Sequence, residues 1–460
     1  MNPSLMKVCL VVVLTPWLAG MASGGEPARG GKIPFVRVPD PLSGENPTYP
    51  VQWGPVPEVG TPWVDPRFGV TLTRVTRTPG IRHEYSRFDP FNKGQSLILL
   101  IEHAEGQFRV YRTNSMPYDS AGNFVRTVDL EEPRWDPNDP NVVWGFQEFR
   151  IVRLDVNTGE TRTFKDFAGD PVVGPLIKAE RDLYRITSKD EGEASRDFRY
   201  WAFCLQGSNE DYRLRYLFTW DREEDRVLGM HKITKQQREV DCAGMSPLGN
   251  WVWIGGEPNN AEPLRGLTIA NRELTRFHQI DYAGGHADVG LDVAGLEVIV
   301  LQNSRTDCVD MVPFDWTVKS IREPEEGYEG TNRVRLLRLF YASDSPQGFS
   351  SGLHISCNAP GWCVVSTHLE PKDKDRNWLD LGLILVRLDA RNPEAFYLAK
   401  INNLTSQYWE ETQATITNDG AKVVWAANWG QGVGKEKCFL MQLDMPAGWQ
   451  KAMQSRTNTE

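Results

Sequence analysis

The chain has 460 residues, 40% of them hydrophobic and 10% aromatic, with 40 glycines and 30 prolines, which is enough apolar material for a large core. Its formal net charge of −10 argues against nucleic acid as a partner, because phosphate-backbone binding rests on clustered Lys and Arg.

Residues 1–24 read as a signal peptide. Lys7 gives a short positive region, residues 8–21 are mostly apolar, and Gly20, Ala22 and Gly24 suit cleavage. The apolar run is shorter than the roughly 20 residues of a membrane span, and no later segment is apolar for long enough. The expectation is an exported protein, secreted or periplasmic, with no span in the mature chain. Cleavage removes Cys9 and leaves Cys204, Cys242, Cys308, Cys357, Cys363 and Cys438. Export permits disulfides. Cys357 and Cys363 flank one tight turn, and the spacing matches no zinc finger.

Residues 25–68, rich in Pro and Gly, read as an extended leader. Over 69–446 one phrase then keeps returning: a short strand, an Asp/Ser-Pro-x-Gly kind of turn, and a second strand of β-branched and aromatic residues. Its seven copies start at Tyr85, Pro133, Glu193, Cys242, His286, Leu353 and Glu411. Repeats of about 40–50 residues with four strands mark β-propeller blades. The predicted fold is therefore all-β, a seven-bladed β-propeller. Only one strand, KCFLMQLDM, follows the seventh copy, and an orphan strand, VTLTRVTRT from Val70, precedes the first. The N-terminal strand is predicted to complete the last blade and remove its open edge. Residues 447–460 read as a tail. No helix is predicted beyond a turn near Asn271, and a monomer is expected.

Within this pattern stand His83-Glu-Tyr-Ser-Arg87 with His103 beyond the hairpin, Met245-Ser-Pro-Leu-Gly249, Gly285-His-Ala-Asp288, and His354-Ile-Ser-Cys357 with Pro360-Gly-Trp362. These motifs resemble the TolB-like and oligogalacturonate-lyase-like propellers, and more closely the ulvan-lyase propellers, over nearly all of residues 70–445. The resemblance implies an exported lyase that acts on an anionic, uronate-containing polysaccharide. It also implies a functional histidine pair on the first hairpin.

Hairpin geometry gives its own reading of that pair. Positions 83 and 103 lie almost symmetrically about the turn Phe91–Gly94, so His83 and His103 are expected side by side at one end of blade one. The alternative is a structural cap. Residues at the start of the other inner strands should point to the same face and the central channel: Arg87, Arg134, Glu191, Cys242, His286 with Asp288, His354, and Glu411 with Gln413. Such a polar ring needs water, a metal, a ligand or ion pairs. Cys242, His286 and His354, joined by His231 from an outer strand, form a candidate metal set. Thiolate with imidazole suits zinc; the alternative is a satisfied core.

A polysaccharide lyase needs a base, an acid for the leaving oxygen, and a group that neutralises the uronate carboxylate. His83 and His103 are the candidates for neutralisation or abstraction. Arg87, Arg134 and Arg213 are the candidates for binding the carboxylate, and Tyr212 for proton transfer. The ulvan-lyase group carries a tyrosine roughly one blade beyond its second histidine. Here that region reads Trp144-Gly-Phe-Gln-Glu-Phe149, without one. Tyr212 or Glu148 would have to serve, or the reaction is lost. The competing classes are a non-catalytic glycan-binding propeller and a TolB-like scaffold.

Overall fold

A computed structural model describes residues 35–456, apart from 210–211, 304–306, 320–331, 340–351, 372–376, 433 and 435–436. The signal-like segment lies outside the described residues. Seven antiparallel sheets follow in chain order, and their inner strands start at Ile81, Glu131, Leu183, Val240, Ala287, Gly352 and Thr415. Each is a meander whose second and third strands are largely apolar and buried, as in Leu97–Glu102 of blade one and Trp362–His368 of blade six. Their β-branched and aromatic residues suit strands packed on both faces. The blades stack through apolar layers, for example Trp144, Phe146, Trp201 and Phe203 between blades two and three.

The ring closes as the sequence predicts. Thr71–Arg74 pairs with Phe439–Asp444 in blade seven, in the register Thr71↔Asp444 to Arg74↔Met441. Two features differ from expectation. The leader adds short edge strands: Val36–Arg37 pairs with blade six and Trp63–Val64 with blade seven. Two-residue strands are too short to show an alternating pattern. Tyr49 and Phe68 of the leader pack on Tyr397. Helices also form at Val173–Ala179 and Trp449–Arg456. The second belongs to the predicted tail, and its Trp449 packs against Trp362 and Phe35. Both helices span about two turns, too short for apolar periodicity to be read. The turn at Asn271 is present, with its side chain accepting from the N–H groups of Thr275 and Arg276.

All six cysteines after Cys9 are buried free thiols. Cys357 and Cys363 touch each other through a side-chain hydrogen bond. No described helix is long and apolar enough to cross a membrane.

Candidate active site and metal centre

The inner strands begin on one face of the disc, and the polar groups gather there. In blade six, Gly352–Ser356 pairs with Trp362–His368 in the register Gly352↔His368 and His354↔Ser366. His354 and His368 therefore rise from adjacent strands of one hairpin. Gly352 leaves room for the His368 ring: a Cβ there would lie 2.3 Å from its Nε2. Glu411, just before the inner strand of blade seven, brings its carboxylate to 3.2 Å from His354 Nε2 and 3.7 Å from His368 Nε2. One ligand atom from each of the three lies within 4.8 Å of the others.

Both ring nitrogens of His354, Nδ1 of His368 and Oε2 of Glu411 are buried and make no hydrogen bond. Buried polar atoms without partners are costly, and one ligand atom from each of these three side chains lies close enough to the others to share an ion. Burial keeps the imidazoles neutral, lowering His354 well below its ordinary pKa and His368 to about 3. Glu411 is pushed up to about 7, mainly by burial, against the pull of Arg82. Two neutral imidazoles and a carboxylate form a donor set that suits a divalent transition metal.

Three aromatic groups surround this cluster. The His286 ring lies 4.8 Å from that of His354, and burial lowers its pKa to about 4, with Arg87 adding to the effect. Tyr85 meets the His354 ring edge-on at 5.4 Å. Tyr408, 41% exposed, stacks 6.4 Å from Tyr85 and is hydrogen-bonded to it. Burial raises the pKa of both phenols. The loop bearing Tyr408 and Trp409 is pinned twice. Glu410 accepts from Ser406 N at 2.6 Å and Ser406 Oγ at 2.7 Å. The buried Arg82 of blade one donates to the carbonyls of Trp409 and Glu411 at 3.0 and 2.8 Å.

The sequence-predicted residues are placed as follows. His354 and His286 lie in the cluster. His83 is fully buried, with Nε2 bound to the Gln413 carbonyl; burial lowers its pKa to about 3. His103 packs on Trp409 at 4.7 Å and donates its backbone N–H to Gly80 at 3.1 Å. The register Ile81↔Glu102 and Arg82↔Ile101 puts the two histidines three residues out of step, not face to face. A turn at Tyr85–Phe88 interrupts the inner strand, so counting back from Phe91 overshoots.

Arg87 is buried and occupied: it donates to Ala287 O at 2.6 Å and pairs with Glu191 at 2.8 Å. Arg134 pairs with Glu84 at 2.7 Å and lies over the Phe88 ring. Arg213 donates to Ile233 O at 3.1 Å. Tyr212 is 58% exposed and lines a different cavity, with Arg213 and Glu257.

Of the predicted metal set only His354 stays a ligand; Cys242, His231 and His286 fall outside it, His286 lying beside His354. Cys242 faces the apolar layer that holds Trp253 and Leu267, with Arg87 3.8 Å from its sulfur. His231 lies on the outermost strand of blade three, against Phe277. His368 and Glu411 stand in their place, and without the thiolate the argument for zinc goes. His368 has a sequence signal: it ends the second strand of its hairpin, much as His103 directly follows that of blade one. Tyr408 and Trp409 sit outside the repeated phrase.

Solved structures that share this fold include two lyases. One is an oligogalacturonate lyase from Vibrio parahaemolyticus, 11% identical with a TM-score of 0.52, matching 85% of this chain and 97% of that one. The other is an oligogalacturonate lyase in complex with manganese, 12% identical with a TM-score of 0.53, matching 85% and 98%. No protein-family model and no curated protein matches the chain. The fold is a seven-bladed propeller like that of these structures, and it carries a His/Glu set able to hold a metal.

Proposed function

We propose that the protein is a lyase that cleaves a uronate-containing anionic polysaccharide by β-elimination, with ulvan-type chains among the candidate substrates. The observation that carries this reading is the convergence of His354, His368 and Glu411 beneath His286, Tyr85 and Tyr408. The manganese of the similar lyase fits these donors. His354, His368 and Glu411 would hold such an ion, which when bound supplies positive charge to the uronate carboxylate.

The remaining work falls to the chain's own groups. His286, partly exposed beside His354, takes the proton from the carbon next to the carboxylate. The electron pair left behind forms the new C=C bond as the adjacent C–O bond breaks. The Tyr408 phenol, which keeps its proton at neutral pH, donates it to the departing oxygen, with Tyr85 orienting it. Arg87 and Arg134, expected to bind substrate, instead hold Glu191 and Glu84 in the wall. Export and action as a monomer complete the reading.

The test is a screen of ulvan, pectin and related polysaccharides with and without Mn²⁺, read as absorbance of the unsaturated product. Product formation that Tyr408→Phe and His286→Gln abolish supports the assignment. Tight binding of one glycan without product from any of them would favour the glycan-binding reading.

A further inference from the structure

Tyr85 and Tyr408, which flank the cluster, also line a canyon of about 1300 Å³ walled by residues of blades one to four. Tyr85, Tyr408 and Trp409 form its aromatic side. Its other walls carry eight carboxylates against three cations. Most of the charges are paired. Arg185 meets Glu131 at 2.8 Å and Arg150 meets Glu148 at 3.4 Å. Arg134 and Arg87 hold Glu84 and Glu191 from behind, and the hydroxyls of Thr187 and Ser188 hold Glu132.

Three carboxylates remain. Asp129, Asp190 and Asp241 are exposed and make no ion pair among the described residues, and Lys189 is the one wall cation left to face them. Their field reaches the buried acids. Burial is the larger cause that raises Glu84, Glu132 and Glu191, but Asp190 raises all three further and Asp241 raises Glu191. A wall of this sign repels a strand with a charge on every sugar.

We infer that the canyon selects a glycan of low charge density, an isolated uronate flanked by uncharged sugars. This rests on the lyase reading of the adjoining cluster, where the single acidic sugar is neutralised. A unit charge about 8 Å from another in water changes affinity by roughly twofold, and salt screens the effect. Asp129, Asp190 and Asp241 together therefore bias binding by roughly tenfold.

Oligogalacturonides of one length, fully de-esterified or partly methyl-esterified, present the same sugars with different charge. Calorimetric titration of the full chain with each, at low and at high salt, reads the bias directly. The expected result is about tenfold tighter binding of the esterified oligomer at low salt, with the gap shrinking as salt rises. The triple variant Asp129→Asn, Asp190→Asn, Asp241→Asn closes the gap at low salt without changing the unfolding temperature. Tighter binding of the de-esterified oligomer that weakens with salt, an unchanged gap in the variant, or binding of neither oligomer overturns the inference. Unsaturated product is scored separately. The expected salt response without product from any oligomer or from any polysaccharide of the lyase screen removes the lyase reading alone, and product with the opposite salt response removes the charge selection alone.

Discussion

Replacing Arg87 with Met separates a structural arginine from a substrate-binding one. Arg87 is 2% exposed, and it ties blade one to the Ala287 carbonyl of blade five and to Glu191 of blade three across the central channel. Its guanidinium also lies 5.0 Å from the Trp253 ring. Removing one member of a buried pair costs about 3–5 kcal/mol, because the other charge is left without a partner. Glu191 is 20% exposed, so the lower end, about 3 kcal/mol, applies. A domain of roughly 380 residues has an unfolding entropy near 0.8 kcal/mol per kelvin, which makes the expected fall in Tm about 4 °C. Scanning calorimetry measures it. Adding Glu191→Gln to Arg87→Met should recover part of the loss, since the orphaned carboxylate is gone. A fall of less than 1 °C, with a raised KM instead, would refute the structural role and return Arg87 to the substrate.

Gly352→Ala places a methyl against the His368 ring and should weaken Mn²⁺ binding by about 10- to 100-fold, the usual scale for disturbing a ligand's support, as read by calorimetric titration. Tyr408→Phe should lower turnover by about 10²- to 10⁴-fold, while Tyr212→Phe leaves it unchanged, because that ring sits in another cavity; initial rates on the cleaved polysaccharide decide. Burial raises the Glu84 carboxyl from 4.5 to about 7, with Arg134 opposing and Asp190 and Glu132 adding. Between those values the folded chain holds a proton that the unfolded chain has released. Stability therefore falls as pH rises through that window and levels off above it; Glu84→Gln should flatten its share of the slope in urea midpoints measured from pH 4.5 to 8.

The blades were legible because each hairpin turn is written locally, in a few residues of fixed chemistry such as Ser246-Pro-Leu-Gly249. The closing strand was legible because an orphan at each end left one pairing. The site was read in part. His286, His354 and Glu411 follow from their place in the phrase, but assigning Cys242 required knowing which way a strand faces. Successive side chains alternate, so a shift of one residue exchanges the two faces: Asp241 lines the canyon and Cys242 enters the core. The same alternation governs Tyr85, and the turn at Tyr85–Phe88 carries its ring to His354. Tyr408 comes from a three-residue turn, Tyr408–Glu410, held by Glu410 and Arg82. Nothing local announces that arrangement, since it depends on a contact between the two ends of the ring.

The pairing of Thr71–Arg74 with Phe439–Asp444 also fixes an order of events during synthesis. On its inner side Thr71–Arg74 has no partner until some 370 residues later; before that only the two-residue strand Trp63–Val64 can pair with it. Until then blade seven cannot assemble, and the seams on either side of it expose apolar strands. Contacts of such sequence separation form slowly, and partly built species are prone to stick to one another. The ring thus becomes a finished object only after its last strand is made. A chain cut short before Phe439 would keep most of its hairpins and still lack the pairing that completes blade seven.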